Sequence, residues 1–167
     1  MRTQRFVAPT WPRGNLGDRP RLLVSPACLS LTAAWLREAS GGRRESTVLW
    51  AGRPDGSRSV RISHVIEPSY RAAALRMTVP MMDRAQVVQV LREDDLVVVA
   101  DLHTHPAEAF LSPVDRANPY SARTGHIAIV LPRYALEDGT DGWMAYEYRG
   151  THWLERDLAE LLDVRSV

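Results

Sequence analysis

The sequence predicts a layered α/β or α+β domain, on three observations. Period-2 and continuous apolar runs mark several strands, helix-start and helix-stop signals fall between them, and the composition can fill a core. Of 167 residues, 45% are apolar and 25% charged, which argues against both disorder and a fibrous chain. The length suits one domain of ordinary size. Residues 1–20, with Pro9, Pro12, Pro20 and two glycines, read as an irregular arm. Residues 21–167 read as the single domain. Leu22–Val24 is a short first strand. Ser25-Pro26 starts a helix with a hydroxyl cap and a proline in the first turn. Leu29, Ala33 and Leu36 share that helix's face, flanked by Leu31 and Trp35, and Gly41-Gly42 stops it. Three β-like runs follow: Glu45–Ala51, Ser59–Ile66 after a Pro54-Asp55-Gly56 turn, and Tyr70–Val79. Asp83–Arg92 is a helix with Val87, Val88 and Leu91 inward. Leu96–Leu102 is a near-continuous apolar strand of the kind buried on both faces. Ser112 opens another helix, His126–Leu131 and Trp143–Tyr148 are late strands, and Leu154, Leu158, Leu161 and Leu162 mark a short closing helix.

Charge and cysteine usage narrow the function classes. The 21 basic and 20 acidic residues give a formal net charge of +1, which names neither a nucleic acid nor a membrane as partner. All the basic residues are arginines, a bias that a GC-rich genome explains. Cys28 is the single cysteine, so a disulfide framework and a Cys-rich zinc site are excluded. It falls in the first helix and reads as a small apolar residue. Met1–Leu16 has no apolar core of the signal-peptide kind. The purely apolar run Leu96–Ala100 is far too short to cross a bilayer. The expectation is a soluble, cytoplasmic domain.

The chemistry concentrates between Asp101 and Asp115. His103 and His105 are separated by one residue at the end of a strand, so both imidazoles point to one side. Two such rings can share a metal ion, and Asp115, ten residues after His105, offers a third ligand. Two histidines, one carboxylate and an open fourth position make a hydrolytic zinc site. His-x-His alone is a weak motif. Ser112-Pro113-Val114-Asp115 is also ordinary helix-start chemistry, which is compatible with Asp115 being held rigidly toward a metal. Asp101 is either an acceptor for an imidazole N–H or a salt-bridge partner, the second being the commoner case. His64, His126 and His152 read as ordinary strand residues, and Trp35, Trp50 and Trp143 as core.

These residues resemble the JAMM metalloproteases, also called MPN or Mov34 proteins. That family carries an upstream glutamate, then His-Ser/Thr-His-Pro, a short loop and Ser-x-x-Asp. Here the pattern reads Glu45, His103-Thr104-His105-Pro106 and Ser112-Pro113-Val114-Asp115, with Gly52 following Glu45 as in the family's Glu-then-Gly strand. The resemblance covers residues 20–150. Six residues separate His105 from Ser112, one fewer than usual, which shortens the loop and keeps the Ser112–Asp115 spacing. The chain also lacks room for the long insertions of eukaryotic deubiquitinases, so it is similar to a minimal, bacterial-type member.

The resemblance implies the JAMM/MPN fold, cytidine-deaminase-like, with a central mixed sheet flanked by helices. It implies one zinc per chain on His103, His105 and Asp115. Glu45 would take a proton from the attacking water and return it to the leaving amine. Ser112 would hydrogen-bond the oxyanion. The implied substrate is a ubiquitin-like or other β-grasp protein whose extended C-terminal tail pairs beside a strand edge, with activating and conjugating enzymes as possible companions. Two other readings stay open: processing of a sulfur-carrier protein conjugate, and a non-catalytic MPN scaffold. Zinc nucleoside and base deaminases, whose fold is related, need a Pro-Cys-x-x-Cys motif that one cysteine cannot supply.

Overall fold

A computed structural model describes residues 21–54, 59–67, 91–92 and 95–165. The expected arm at 1–20, the tip of the Pro54-Asp55-Gly56 turn, the strand expected at 70–79 and most of the helix expected at 83–92 lie outside them. Leu91 and Arg92 are helical.

The described chain builds one mixed sheet. Its strands are β1 (Arg21–Val24), β2 (Thr47–Pro54), β3 (Ser59–Ile66), β4 (Val97–Thr104), β5 (Ile127–Leu131), β6 (Met144–Tyr148), β7 (Trp153–Arg156) and β8 (Leu162–Val164). They lie in the order β7-β6-β5-β4-β2-β3-β1-β8. β4 is central, antiparallel to β2 and, from Ala100 to Thr104, parallel to β5. That placement explains its apolar run: a strand covered on both faces cannot alternate. The mixed sheet with its helices agrees with the α/β class that the sequence predicts.

Helix α1 (Pro26–Ser40) forms where the Ser25-Pro26 signal places it. The Ser25 side chain accepts the Cys28 N–H, and Gly41, at φ 54°, closes the last turn in the left-handed conformation that suits glycine. Ala33 and Leu36 are buried, while Leu29 and Trp35 pack partly against the core and Leu31 is exposed. The main core lies between α1 and one face of the sheet, around Leu36, Trp50, Leu102 and Ile129. Trp50 is fully buried, and its Nε1–H donates to Thr32 Oγ1 at 2.8 Å, so the ring is buried without an unpaired donor. Cys28 packs against this core, and burial raises its thiol pKa. A smaller cluster of Leu111, Ala128, Val130 and Tyr146 covers part of the opposite face.

Gly52 is required for room. A Cβ there would lie 2.1 Å from the Arg61 carbonyl oxygen, at a register shift between Ala51 and Gly52 that brings β2 close to β3.

Several expectations are corrected. Glu45 does not open its strand; β2 begins two residues later, at Thr47. The closing helix is a single turn, α3 (Leu158–Leu161), capped by Asp157. Leu154 lies instead on β7 and Leu162 opens β8, because leucines at strand positions on either side of one turn mimic a helical spacing. His64 is on β3, but His126 precedes β5 and His152 lies in a bend. No helix among the described residues is long and apolar enough to cross a membrane.

Candidate metal centre

Three segments converge at the C-terminal end of β4. Asp101 and His103 are two residues apart on that strand, and Ala128 and Val130 are their partners on β5. All four point to the face opposite α1. His105 follows just beyond the strand, where its N–H donates to the Leu131 carbonyl at 2.9 Å. Pro106 then turns the chain into the loop that leads to α2 (Pro113–Ala117).

Helix α2 presents Asp115 through its cap. Ser112 Oγ accepts the Asp115 N–H at 3.2 Å, and Asp115 Oδ2 accepts the Ser112 N–H at 2.9 Å. This reciprocal capping box fixes the carboxylate in a helix of only five residues. The same Oδ2 stands 3.4 Å from His105 Nε2 and 3.7 Å from His103 Nε2. Glu45 Oε1 reaches to 4.0 Å from His105 Nε2, from a side chain that is about half exposed.

Glu45 owes that position to its neighbour. Ser46 donates its N–H to Thr104 Oγ1 at 3.0 Å and its hydroxyl to the Leu36 carbonyl at 2.8 Å, while Thr104 N–H donates back to the Ser46 carbonyl at 3.0 Å. Thr104, between the two histidines, thus ties the chain before β2 to the end of β4.

His105 is braced from the other side by a left-handed turn. Arg133, Tyr134 and Ala135 have φ of 49°, 56° and 57°, which costs about 1–2 kcal/mol for each non-glycine residue. Tyr134 N–H donates to the His105 carbonyl and Arg133 N–H to the Ala107 carbonyl, both at 2.9 Å. Arg37 of α1 donates its Nε–H to the Ala135 carbonyl at 2.8 Å. Strain of this kind persists only where surrounding bonds over-determine the backbone.

The electrostatics favour a cation. Burial opposes charge on Asp101, but hydrogen bonds and positive charge from His103 and His126 outweigh it and hold the carboxyl down to about 2. Burial works against a charged His103 as well, yet Asp101 and Asp115 raise that ring to about 9. Burial opposes charge on Asp115 too, but the neighbouring His103 and His105 rings hold its carboxyl below the usual carboxylate range. Two carboxylates around one ring select a positive species, whether a proton or a metal ion.

The donor set fits a metal. His103, His105 and Asp115 each offer one ligand atom within 4.8 Å of the others. Ligands about 2.1 Å from a tetrahedral ion stand roughly 3.4 Å apart, close to the separations that Asp115 Oδ2 makes with the two rings. Among the described residues, His103 Nε2 is fully buried and has no hydrogen-bond partner, a cost that a ligated ion removes. Two nitrogens and one carboxylate oxygen are a donor set for a transition-metal ion, zinc and iron among them.

Every site residue taken from the sequence, Glu45, His103, His105, Ser112 and Asp115, lies on this one end of the sheet. Reading the sequence missed His126, whose Nε2–H donates to Asp101 Oδ1 at 2.7 Å, while His103 Nδ1 lies 3.4 Å from Asp101 Oδ2. The available signal was a histidine directly before an apolar run able to pair with β4. It missed Phe110 too, whose half-exposed ring meets His105 edge-on at 4.9 Å.

No protein-family model matches the chain. A probable metalloprotease of Sinorhizobium fredii (strain NBRC 101917 / NGR234), y4jG, is 26% identical over 114 residues, which cover 66% of this chain and 70% of that protein. The solution structure of protein DSY2949 from Desulfitobacterium hafniense has a TM-score of 0.65 at 17% identity, covering 87% of this chain and 94% of that one. A protein from Salinibacter ruber has a TM-score of 0.56 at 15% identity, covering 80% and 88%. The likeness to these two structures is one of fold, and the chain is similar in sequence to a protein named as a probable metalloprotease.

Proposed function

We propose that this chain is a zinc-dependent peptidase of the JAMM/MPN type, formed by residues 21–167 as one cytoplasmic domain. Its substrate would be a ubiquitin-like or other β-grasp protein, cut after the C-terminal residue of that protein's extended tail. The observation that carries the reading is the convergence of His103 Nε2, His105 Nε2 and Asp115 Oδ2, with the Glu45 carboxylate beside them. The similarity to the probable metalloprotease of Sinorhizobium fredii supports the same class of chemistry.

His103, His105 and Asp115 would hold the ion. When bound, zinc supplies Lewis acidity toward a carbonyl and lowers the pKa of water at its open position. Glu45 reaches the cluster from an exposed position, so it is able to accept a proton from the attacking water and deliver it to the leaving amine. Ser112 Oγ already accepts from the Asp115 N–H, which leaves its hydroxyl hydrogen free to donate to the oxyanion. The half-exposed Phe110 ring offers an apolar surface next to His105 for the chain on one side of the cut. Nothing in this route requires a covalent acyl-enzyme.

The test is cleavage of tail-extended forms of ubiquitin-like and sulfur-carrier β-grasp proteins. The expected result is release of the extension after the tail's last residue, abolished by a chelator and restored by zinc. A zinc-loaded protein that cuts neither ubiquitin-like nor sulfur-carrier conjugates would contradict the peptidase reading and favour the scaffold.

A further inference from the structure

We infer that Asp101 and His126 are positioning residues for His103, forming with it a buried chain that fixes which nitrogen of His103 faces the metal. The inference rests on the metal-binding reading above. It concerns residues outside the expected ligand set, one of which follows no motif in the sequence.

The geometry comes from the sheet. β4 and β5 are parallel with Ala100 opposite Ile127 and Asp101 opposite Ala128, so His126 lies diagonally across from Asp101 on the same face. All three side chains are buried. Asp101 spans two rings, with Oδ1 2.7 Å from His126 Nε2 and Oδ2 3.4 Å from His103 Nδ1. The Tyr120 ring stacks on His126, with centroids 6.4 Å apart.

An ionised carboxylate accepts and cannot donate, so each ring nitrogen that faces it carries hydrogen. A neutral imidazole, the form that ligates a metal, keeps only one. Asp101 therefore assigns that hydrogen to Nδ1 of His103 and leaves the lone pair on Nε2. Nε2 is the buried atom without a partner, and it faces Asp115. His126 acts at one remove: its N–H fixes the other carboxylate oxygen, so Asp101 cannot rotate away from His103. A tie between β4 and β5 alone would not need to end on a bare nitrogen beside two other ligand atoms. Partners of this kind typically change metal affinity by 10–100-fold.

The experiment uses the full chain. Zinc affinity is measured by competition with a chromophoric chelator for the wild type, Asp101→Ala, Asp101→Asn and His126→Ala. The zinc-loaded proteins are then followed by long-range 1H–15N spectra of the imidazoles. Asp101→Ala is expected to weaken zinc binding by about 10–100-fold and to shift or broaden the His103 Nδ1–H resonance. Asp101→Asn, which keeps one acceptor, and His126→Ala should lose less. If Asp101→Ala does not fold, Asp101→Asn carries both readouts. A folded Asp101 variant with a lower melting temperature, wild-type zinc affinity and an unchanged His103 signal would reduce the chain to a strand tie and overturn the inference. A wild type that binds zinc but cleaves nothing defeats only the peptidase reading. A wild type that binds no zinc defeats both.

Discussion

β4 buries polar groups on both of its faces and completes them differently. Toward α1, Thr104 and Ser46 exchange hydrogen bonds with each other, and the Ser46 hydroxyl donates to the Leu36 carbonyl. Toward the opposite face, Asp101, His103 and His126 are equally buried, yet among the described residues the set ends on a His103 Nε2 that bonds to nothing. A satisfied network rigidifies a fold, and a half-satisfied one costs stability unless something binds it. The comparison gives the first pair an architectural role and leaves on the second group a buried nitrogen able to take a ligand. Burial alone does not make the distinction. Arg156, paired with Glu147 on the neighbouring β6, also leaves Nε and Nη2 unpartnered. A guanidinium can only donate, and no group of metal-ligating side chains among the described residues includes Glu147.

The comparison can be broken on either face. The largest expected effect is at Glu45, which borders the open group: Glu45→Gln should keep its zinc and lose turnover by roughly a hundredfold or more, the scale of general acid–base catalysis. Steady-state kinetics beside metal analysis checks this, and a zinc-loaded variant of near wild-type activity would assign the proton transfer elsewhere. Next is Thr104→Val on the satisfied face. It leaves the buried Ser46 N–H without its acceptor, and should cost about 1–3 kcal/mol of stability while the zinc content of the folded protein stays at wild-type level. Denaturant unfolding measures the first and metal analysis the second. The smallest effect is at Cys28, whose side chain packs partly buried against the apolar core. Cys28→Ala should cost less than about 1.5 kcal/mol, the scale of a modest loss of core volume, and leave kcat/KM unchanged. A large loss of activity would point to a nucleophile that the proposed mechanism does not use.

How much was legible in the sequence follows from how local each feature is. His103, His105, Ser112 and Asp115 fall within thirteen residues, and strand periodicity and capping chemistry act over that range, so their approximate placement could be read. Glu45 was reachable only through a resemblance, because its approach to His105 depends on the Ser46–Thr104 bonds between segments 58 residues apart. His126 was invisible as a partner of Asp101 because it becomes one only when β5 pairs in parallel with β4. The left-handed turn at Arg133–Ala135 contains no glycine, so no local signal announces it; bonds from Arg37 and to the backbone around His105 impose it. β7 and β8 have four and three residues, too few for periodicity to outvote leucines at helix-like spacing.

The central claim is that the open group on β4 is a metal site, and metal content tests it most directly. The wild type and His103→Ala are purified without added zinc and analysed for metals by mass spectrometry against protein concentration. The account predicts about one zinc per chain in the wild type, the count of a single site with two histidines and one carboxylate, and almost none in a folded His103→Ala. Stoichiometric zinc persisting in His103→Ala, or a wild type that cannot be loaded with zinc at all, would contradict it.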